Sequence, residues 1–398
     1  MTDAAMTSTT PGETAGMQNP PHTHAARLDI ADVPRDAWEA LAQNSIEPNA
    51  FFDPGFALAA SGFAWGGKGS QTLVAFDGAD GKINGLLPVV SAWHAYKLPL
   101  PAFVALQPYS PLTSPLLDKD HAIAAAGALI DGAAAAGGHL LVLPHLALGG
   151  PAALALKAAM TERGLVASTD NLHERAVFEV TRDAEDYLRN GMGAKRLKEM
   201  RRLRNRLADE GDIAFTLAST PETITPALDR FLDLESRGWK GQLGTGLAQS
   251  SGDASFIRAA AADMGKRGNF EVAELTLNGV PVASGLVMKQ GDRAFFFKIA
   301  YDETMGRVSP GVQLTLELTK RFAEDESITL VDSTANAGHP MIDHVWRERL
   351  AVGDLMIPTR RNDPLASISA SMILGRRRAR DEAKRLFQIA KHFREKSK

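Results

Sequence analysis

The sequence predicts a mixed α/β protein of the α+β kind, built as two consecutive halves that are each a mostly antiparallel sheet flanked by helices. Three observations lead there. Two pairs of strand-like stretches fold back over short Gly- and Asp-containing turns, 72–76 onto 82–93 around Asp77-Gly78-Ala79-Asp80-Gly81 and 280–289 onto 293–301 around Gln290-Gly291-Asp292. Strands therefore arrive as hairpins rather than through helical crossovers. Stretches with apolar residues three and four apart stand before and after each hairpin, as in helices that lay one face on a sheet. The order strand, two helices, antiparallel strands, helix, strand, helix, strand then occurs twice in 398 residues, more than one ordinary core holds. No repeat is visible residue by residue, so the duplication is one of element order.

Along the chain, residues 1–26 are rich in Thr, Pro, Gly and Ala, with neither the basic start nor the apolar core of a leader, and read as a disordered tail in which His22 and His24 bind nothing. The first half, 27–180, holds a strand at 28–33, helices at 35–42 and 53–62, the first hairpin, a short strand at 103–106, a helix at 121–136, a strand at 139–143, a helix at 151–163 and a strand at 176–180. The Ala-rich run 122–138 is a buried helix and not a membrane span, because Asp131 and glycines interrupt it. The second half, 181–360, holds a strand at 212–217, helices at 221–237 and 253–266, strands at 271–277, 280–289 and 293–301, a helix from Ser309 to 323, a strand at 328–332, a short helix at 340–349 and a strand at 351–357. Residues 361–398 form a basic helical tail with Leu386, Phe387, Ile389 and Phe393 on an amphipathic stretch, suited to a partner or a membrane surface.

Composition removes several classes. With no cysteine, disulfides, thiolate catalysis and Cys-ligated metal centres are excluded, which fits a reducing, cytoplasmic setting. A net charge of −3 gives no global attraction for nucleic acid. No P-loop, nucleophile elbow or His-Glu-x-x-His occurs. His339 and His344 with Asp332 and Asp343 do not make a metal site, since a spacing of five turns the two imidazoles to different helix faces.

The chemistry concentrates near residue 300. The last strand of the second hairpin runs through Asp302-Glu303 and Arg307-Val308-Ser309-Pro310-Gly311 into an amphipathic helix. A serine cap, a proline at the first helical position and a glycine at the second leave N–H groups at Ser309, Gly311 and Val312 free to cradle a phosphate, although a Ser-Pro pair also serves simply to start a helix. Alternation places Phe295, Phe297 and Ile299 on one strand face and Phe296, Lys298 and Ala300 on the other. Lys298 could steady an oxyanion or a phosphate, or hold a solvated edge. Asp302, Glu303 and Asp332 lie near strand ends where a general base for an amine would be placed, and His339 is a base or a cap. The helix at 195–209 is basic outside the apolar stripe of Leu197, Met200, Leu203 and Leu207, so Arg201 and Arg204 are candidates for an anionic partner or for a solvated face.

Glu235-Ser236-Arg237-Gly238-Trp239-Lys240-Gly241, Ala300-Tyr301-Asp302-Glu303, Ser309-Pro310-Gly311, and Asp332 with His339-Pro340-Met341-Ile342-Asp343 occur in the order found in GNAT acyltransferases, and the chain resembles the GNAT branch associated with CelD-type polysaccharide biosynthesis. The doubled architecture resembles that of FemAB-like transferases. The resemblance covers roughly residues 170–358; residues 27–170 share only the architecture and Asn49-Ala50-Phe51-Phe52. It implies tandem GNAT-like halves, an acetyl-CoA or other acyl-CoA co-substrate whose pyrophosphate lies at Arg307, Ser309, Gly311 and Val312, and no metal. Pro310 stands where that family usually has a glycine. The resemblance further implies an acceptor groove near Trp239, Lys240 and Tyr301 for a small-molecule or nucleotide-linked amine. Charged tRNA is the donor on the FemAB-like alternative, and a non-catalytic scaffold is the third reading.

Overall fold

The computed structural model describes residues 23–78, 81–238, 241, 243–244 and 246–396. Its centre is one sheet of thirteen strands. The first seven are β1 (His24–Asp29), β2 (Gln71–Phe76), β3 (Ile83–Ser91), β4 (Ala102–Ala105), β5 (Leu116–Leu117), β6 (Leu140–Ala147) and β7 (Ser168–Glu179). The remainder are β8 (Ile213–Ala218), β9 (Phe270–Leu277), β10 (Val280–Gln290), β11 (Arg293–Tyr301), β12 (Leu330–Asp332) and β13 (Glu348–Pro358). They lie in the order β1-β2-β3-β4-β6-β13-β7-β12-β11-β10-β9-β8, with β5 added to β3. Read from either end the order has the same sense: β1 to β4 and β6 correspond to β8 to β11 and β12, and the two long strands meet in the middle. All neighbours are antiparallel except β4 with β6 and β11 with β12, one parallel pair in each half. The expected fold class, tandem GNAT-like halves of mostly antiparallel sheet flanked by helices, is the one observed.

The halves are not side by side as separate sheets. β7, from the first half of the sequence, pairs with β12, and β13, from the second, pairs with β6, so each half lends its last strand to the other's sheet. Three sequence expectations change as a result. β7 begins at Ser168, well before 176, because its polar first part is held by pairing to β13 rather than by burial. The helix expected at 340–349 is only a short 3-10 turn at Ile342–His344, since Glu348 onward is taken into β13 opposite Val177. β1 begins at His24, inside the segment expected to be disordered; it pairs with β2, and the His24 ring stacks on Phe76 at 5.5 Å. A helix not expected from sequence, Ala184–Met192, is capped by Asp183 and buries Tyr187, whose hydroxyl donates to Glu348 at 2.6 Å.

Helices cover both faces. On one, Phe51 and Phe56 of the first half interlock edge-to-face with Phe295 and Phe256 of the second, at 5.4 and 5.0 Å. The Asn49-Ala50-Phe51-Phe52 segment thus belongs to a core shared by both halves; Asn49 closes its own turn on Phe51 N–H at 3.0 Å and donates to Ser114 at 2.8 Å. At the edge of this seam Arg267 grips Asp53 through two bonds of 2.7 and 2.6 Å, and Arg35 reaches Asp263 at 2.5 Å. The opposite face carries the helix Pro310–Glu324, which buries Leu314, Leu318 and Phe322. Among the described residues no helix is long and apolar enough to cross a membrane.

Candidate active site

The site begins with a break in the sheet. β11 and β12 pair only from Arg293 and Leu330 to Phe295 and Asp332, then diverge. Thr334, in the left-handed backbone region, plugs the divergence by donating its hydroxyl to the Phe296 carbonyl at 2.8 Å. Beyond it β11 has a strand on its β10 side only. The register of that pair skips Phe297, between Leu286 with Lys298 and Val287 with Phe296. A bulge of this kind inserts one residue and reverses the faces after it. Phe295, Phe297 and Ala300 pack with the inter-half core, while Phe296, Ile299 and Tyr301 pack on the side of the helix Pro310–Glu324. Strict alternation, which put Ile299 with Phe295 and Phe297, is corrected by that one extra residue.

A cleft of about 340 Å³ opens at the divergence. Its walls come from both sheet faces: Leu234, Glu235 and Gly238 from the end of the helix Pro221–Arg237, and Ile299, Tyr301 and the turn Ser309 to Val312 from the other. Ser309 differs from its expected role. Its side chain makes no cap bond, its backbone is left-handed at φ 51°, and its N–H donates to Gly306 at 3.1 Å. The cradle therefore narrows to Gly311 and Val312, whose N–H groups take no partner among the described residues, at the positive end of the helix dipole. Gly311 allows a close approach: a Cβ there would stand 3.2 Å from both Met341 Sδ and Tyr301 Cδ1. The equivalent helix of the first half, Ala122–Ala135, is preceded instead by the Asp118 carboxylate, which accepts from Asp120 N–H at 3.0 Å and pairs with Lys82 at 3.1 Å.

The structure brings together Ser309, Gly311, Val312, Tyr301, His339 and the general-base candidate Glu303, and with them Glu235, which the sequence reading held as a motif residue rather than a site residue. Glu235 is buried and accepts from Leu247 N–H at 2.7 Å. His339 Nδ1 faces the Met341 and Ile342 N–H groups at 3.4 and 3.5 Å, contacts that orient its ring in the cleft wall. Other candidates stand apart from the cleft. Asp302 caps the turn after β11, accepting from Thr304 N–H and Oγ1 at 2.9 and 2.6 Å. Asp332 is buried against Arg175 at 2.5 Å, and Arg175 also donates to the Pro111 carbonyl. Arg307 points outward to Glu210, Arg201 to Glu185 and Arg204 to Glu317. Lys298 sits on the inter-half face, its ammonium 5.2 Å from the ring centre of Tyr109, a first-half residue. Burial, a hydrogen bond to Asp253, and the charges of Asp253 and Glu235 together push the Tyr109 hydroxyl well above the usual phenol range, so it remains a donor. Trp239 and Lys240 lie outside the described residues. Among the described residues no group of three or more His, Asp or Glu side chains is placed to hold a metal ion.

No curated protein matches the chain. Three solved structures share its fold: FemX, with a TM-score of 0.53 and 11% identity over 86% of this chain and 99% of that one; a conserved protein of unknown function from Bacteroides thetaiotaomicron, 0.52 and 16% over 83% and 97%; and the C-terminal domain of a putative lysylphosphatidylglycerol synthetase from Agrobacterium fabrum, 0.52 and 13% over 85% and 95%. Residues 194–339, which contain most of the cleft lining, the bulged strand and the open helix start, match the acetyltransferase (GNAT) domain family.

Proposed function

We propose that the protein transfers an acyl group from acyl-CoA to the amine of a small-molecule or nucleotide-linked acceptor. The observation that carries this is the pair of unpartnered N–H groups at Gly311 and Val312, opening onto a cleft that passes through the sheet where β11 and β12 part. Two convergent N–H groups and a helix dipole fit a pyrophosphate. The gap beside them leaves the β11 backbone edge to align the donor's thioester arm as an added strand would be aligned. Catalysis lies in the half spanning 181–360, and the first half supports it through the shared aromatic core.

In this reading the amine enters from the Glu235 side. Glu303, at the exposed mouth of the cleft, takes the ammonium proton, and the free amine attacks the thioester carbonyl; the C–N bond forms, the C–S bond breaks, the thiolate takes a proton from the Tyr301 hydroxyl, and the Tyr301 phenolate takes the second proton that the nitrogen sheds as the amide forms. Tyr301 lies against Gly311, so we assign it to the donor end rather than to acceptor binding. Glu235 holds the loop at Leu247, and His339 stands in the cleft wall. Assignment of the acceptor to envelope or exopolysaccharide assembly, and of the protein to the cytoplasm, rests on the resemblance of the motifs.

The fold likeness to FemX supports a second reading, in which charged tRNA is the donor. Ligand-induced stabilisation separates the two. Acetyl-CoA at a hundredfold excess over its Kd should raise the melting temperature by about 2–4 °C. A rise with charged tRNA and none with any acyl-CoA would transfer the assignment to the second reading, and no response to either would leave a scaffold.

A further inference from the structure

The helix Pro364–Lys396 carries two apolar faces, and the protein covers only one. Ala366, Ser369 and Ile373 are buried on the first half, and Arg377 closes that face with ion pairs to Asp170 and Asp354. Leu365, Ile368 and Met372, spaced by three and four, are 44%, 52% and 45% exposed, and Leu386, two heptads after Met372, is 59% exposed. Gly375 and Ala379 fill the interval with small residues, and Ile389 and Phe393 keep the spacing in the sequence. From Arg378 to Leu386 every residue is exposed, so here the helix stands clear of the body. Charge is segregated in the same place: residues 376–398 hold ten Lys or Arg against three Asp or Glu, in a chain whose net charge is −3.

We propose that this helix docks on an anionic lipid surface, lying in the plane of the headgroups. Its apolar stripe would enter the acyl boundary while Arg378, Arg380, Lys384 and Arg385 meet lipid phosphates. The occupant follows from combining stripe and charge. A second copy of the chain would bring two strongly basic segments against each other, and a nucleic acid would satisfy the arginines but leave the stripe in water. Spanning is excluded for this helix, which is not apolar enough to cross.

The test is co-sedimentation of the full chain with vesicles of phosphatidylcholine alone or with about 30% phosphatidylglycerol. Binding to the anionic vesicles should be at least about tenfold tighter than to neutral ones, and should weaken as salt is raised. Leu386→Glu with Phe393→Glu should abolish it without lowering the melting temperature, and a triple Arg378→Gln, Arg380→Gln, Arg385→Gln variant should remove the preference for anionic lipid. Equal affinity for both vesicles, or none for either, overturns the proposal. So does tRNA binding that survives Leu386→Glu while vesicles are ignored, or a dimer that Leu386→Glu dissociates while vesicles are ignored.

Discussion

Two carboxylates near the ends of neighbouring strands have opposite fates. Asp332 is buried with Arg175, so Asp332→Asn would leave an uncompensated guanidinium in the interior and should cost about 3–5 kcal/mol of stability. Glu303 is exposed at the cleft mouth, and Glu303→Gln should leave stability and acyl-CoA affinity unchanged while lowering kcat by about 10²–10⁴-fold. Denaturant melts and steady-state kinetics on both variants give the check: a stable but slow Asp332→Asn enzyme, or a fully active Glu303→Gln enzyme, would exchange their roles. Sequence could name both residues as acids near strand ends. It could not see that Arg175 pairs with Asp332, because that contact spans 157 positions and depends on β7 entering the other half's sheet. Lys298 was legible as a lysine among phenylalanines, but its face turned on the unpaired Phe297, and a bulge leaves no mark in an apolar alternation.

At the scale of elements, the helix Pro310–Glu324 was readable from Ser309-Pro310-Gly311 and its periodic leucines, whereas the left-handed Ser309 that removes one N–H from the cradle was not. Strand limits were hardest where polar residues are held by pairing alone, as at the start of β7. The cradle predicts a graded response. Gly311→Ala adds a methyl 3.2 Å from Met341 and Tyr301, which should cost about 1–3 kcal/mol of stability by overpacking. Gly311→Gln and Gly311→Glu add nearly equal bulk, but only the second adds a negative charge at the helix N-terminus where the donor's anion would lie, so acyl-CoA affinity should fall about tenfold further in the glutamate variant than in the glutamine one. Calorimetric titration of both variants separates the terms: equal affinities would mean that crowding alone, and no anion, defines this end of the cleft.

For the whole molecule, duplicated element order foretold two halves, but the exchange of β7 and β13 and the common aromatic core join them through one continuous sheet and one shared core. Neither was legible, since each joins residues far apart in the chain. Phe51 shows how much the seam carries: it touches Phe56, Phe295 and Phe297, so Phe51→Ala should cost about 3–5 kcal/mol and loosen both halves in one transition. The charged margin of the seam gives a pH dependence with a defined sign. Burial raises the Asp263 carboxyl, but the hydrogen bonds from Arg35 and Arg267 outweigh it and hold the group below the usual carboxylate range. A folded-state pKa below the unfolded value of about 3.9 means that the unfolded chain binds the proton more readily, so this contribution is complete above about pH 4 and is lost as pH falls through the depressed value. Acid should therefore weaken the joint between the halves, with Arg35 belonging to the first and Asp263 and Arg267 to the second. Asp263→Asn removes the titrating group, and its melting temperature should fall less steeply than the wild type's below about pH 4, the two curves running parallel above it. Parallel curves throughout the acid range would show that Asp263 contributes nothing to the pH dependence of the seam.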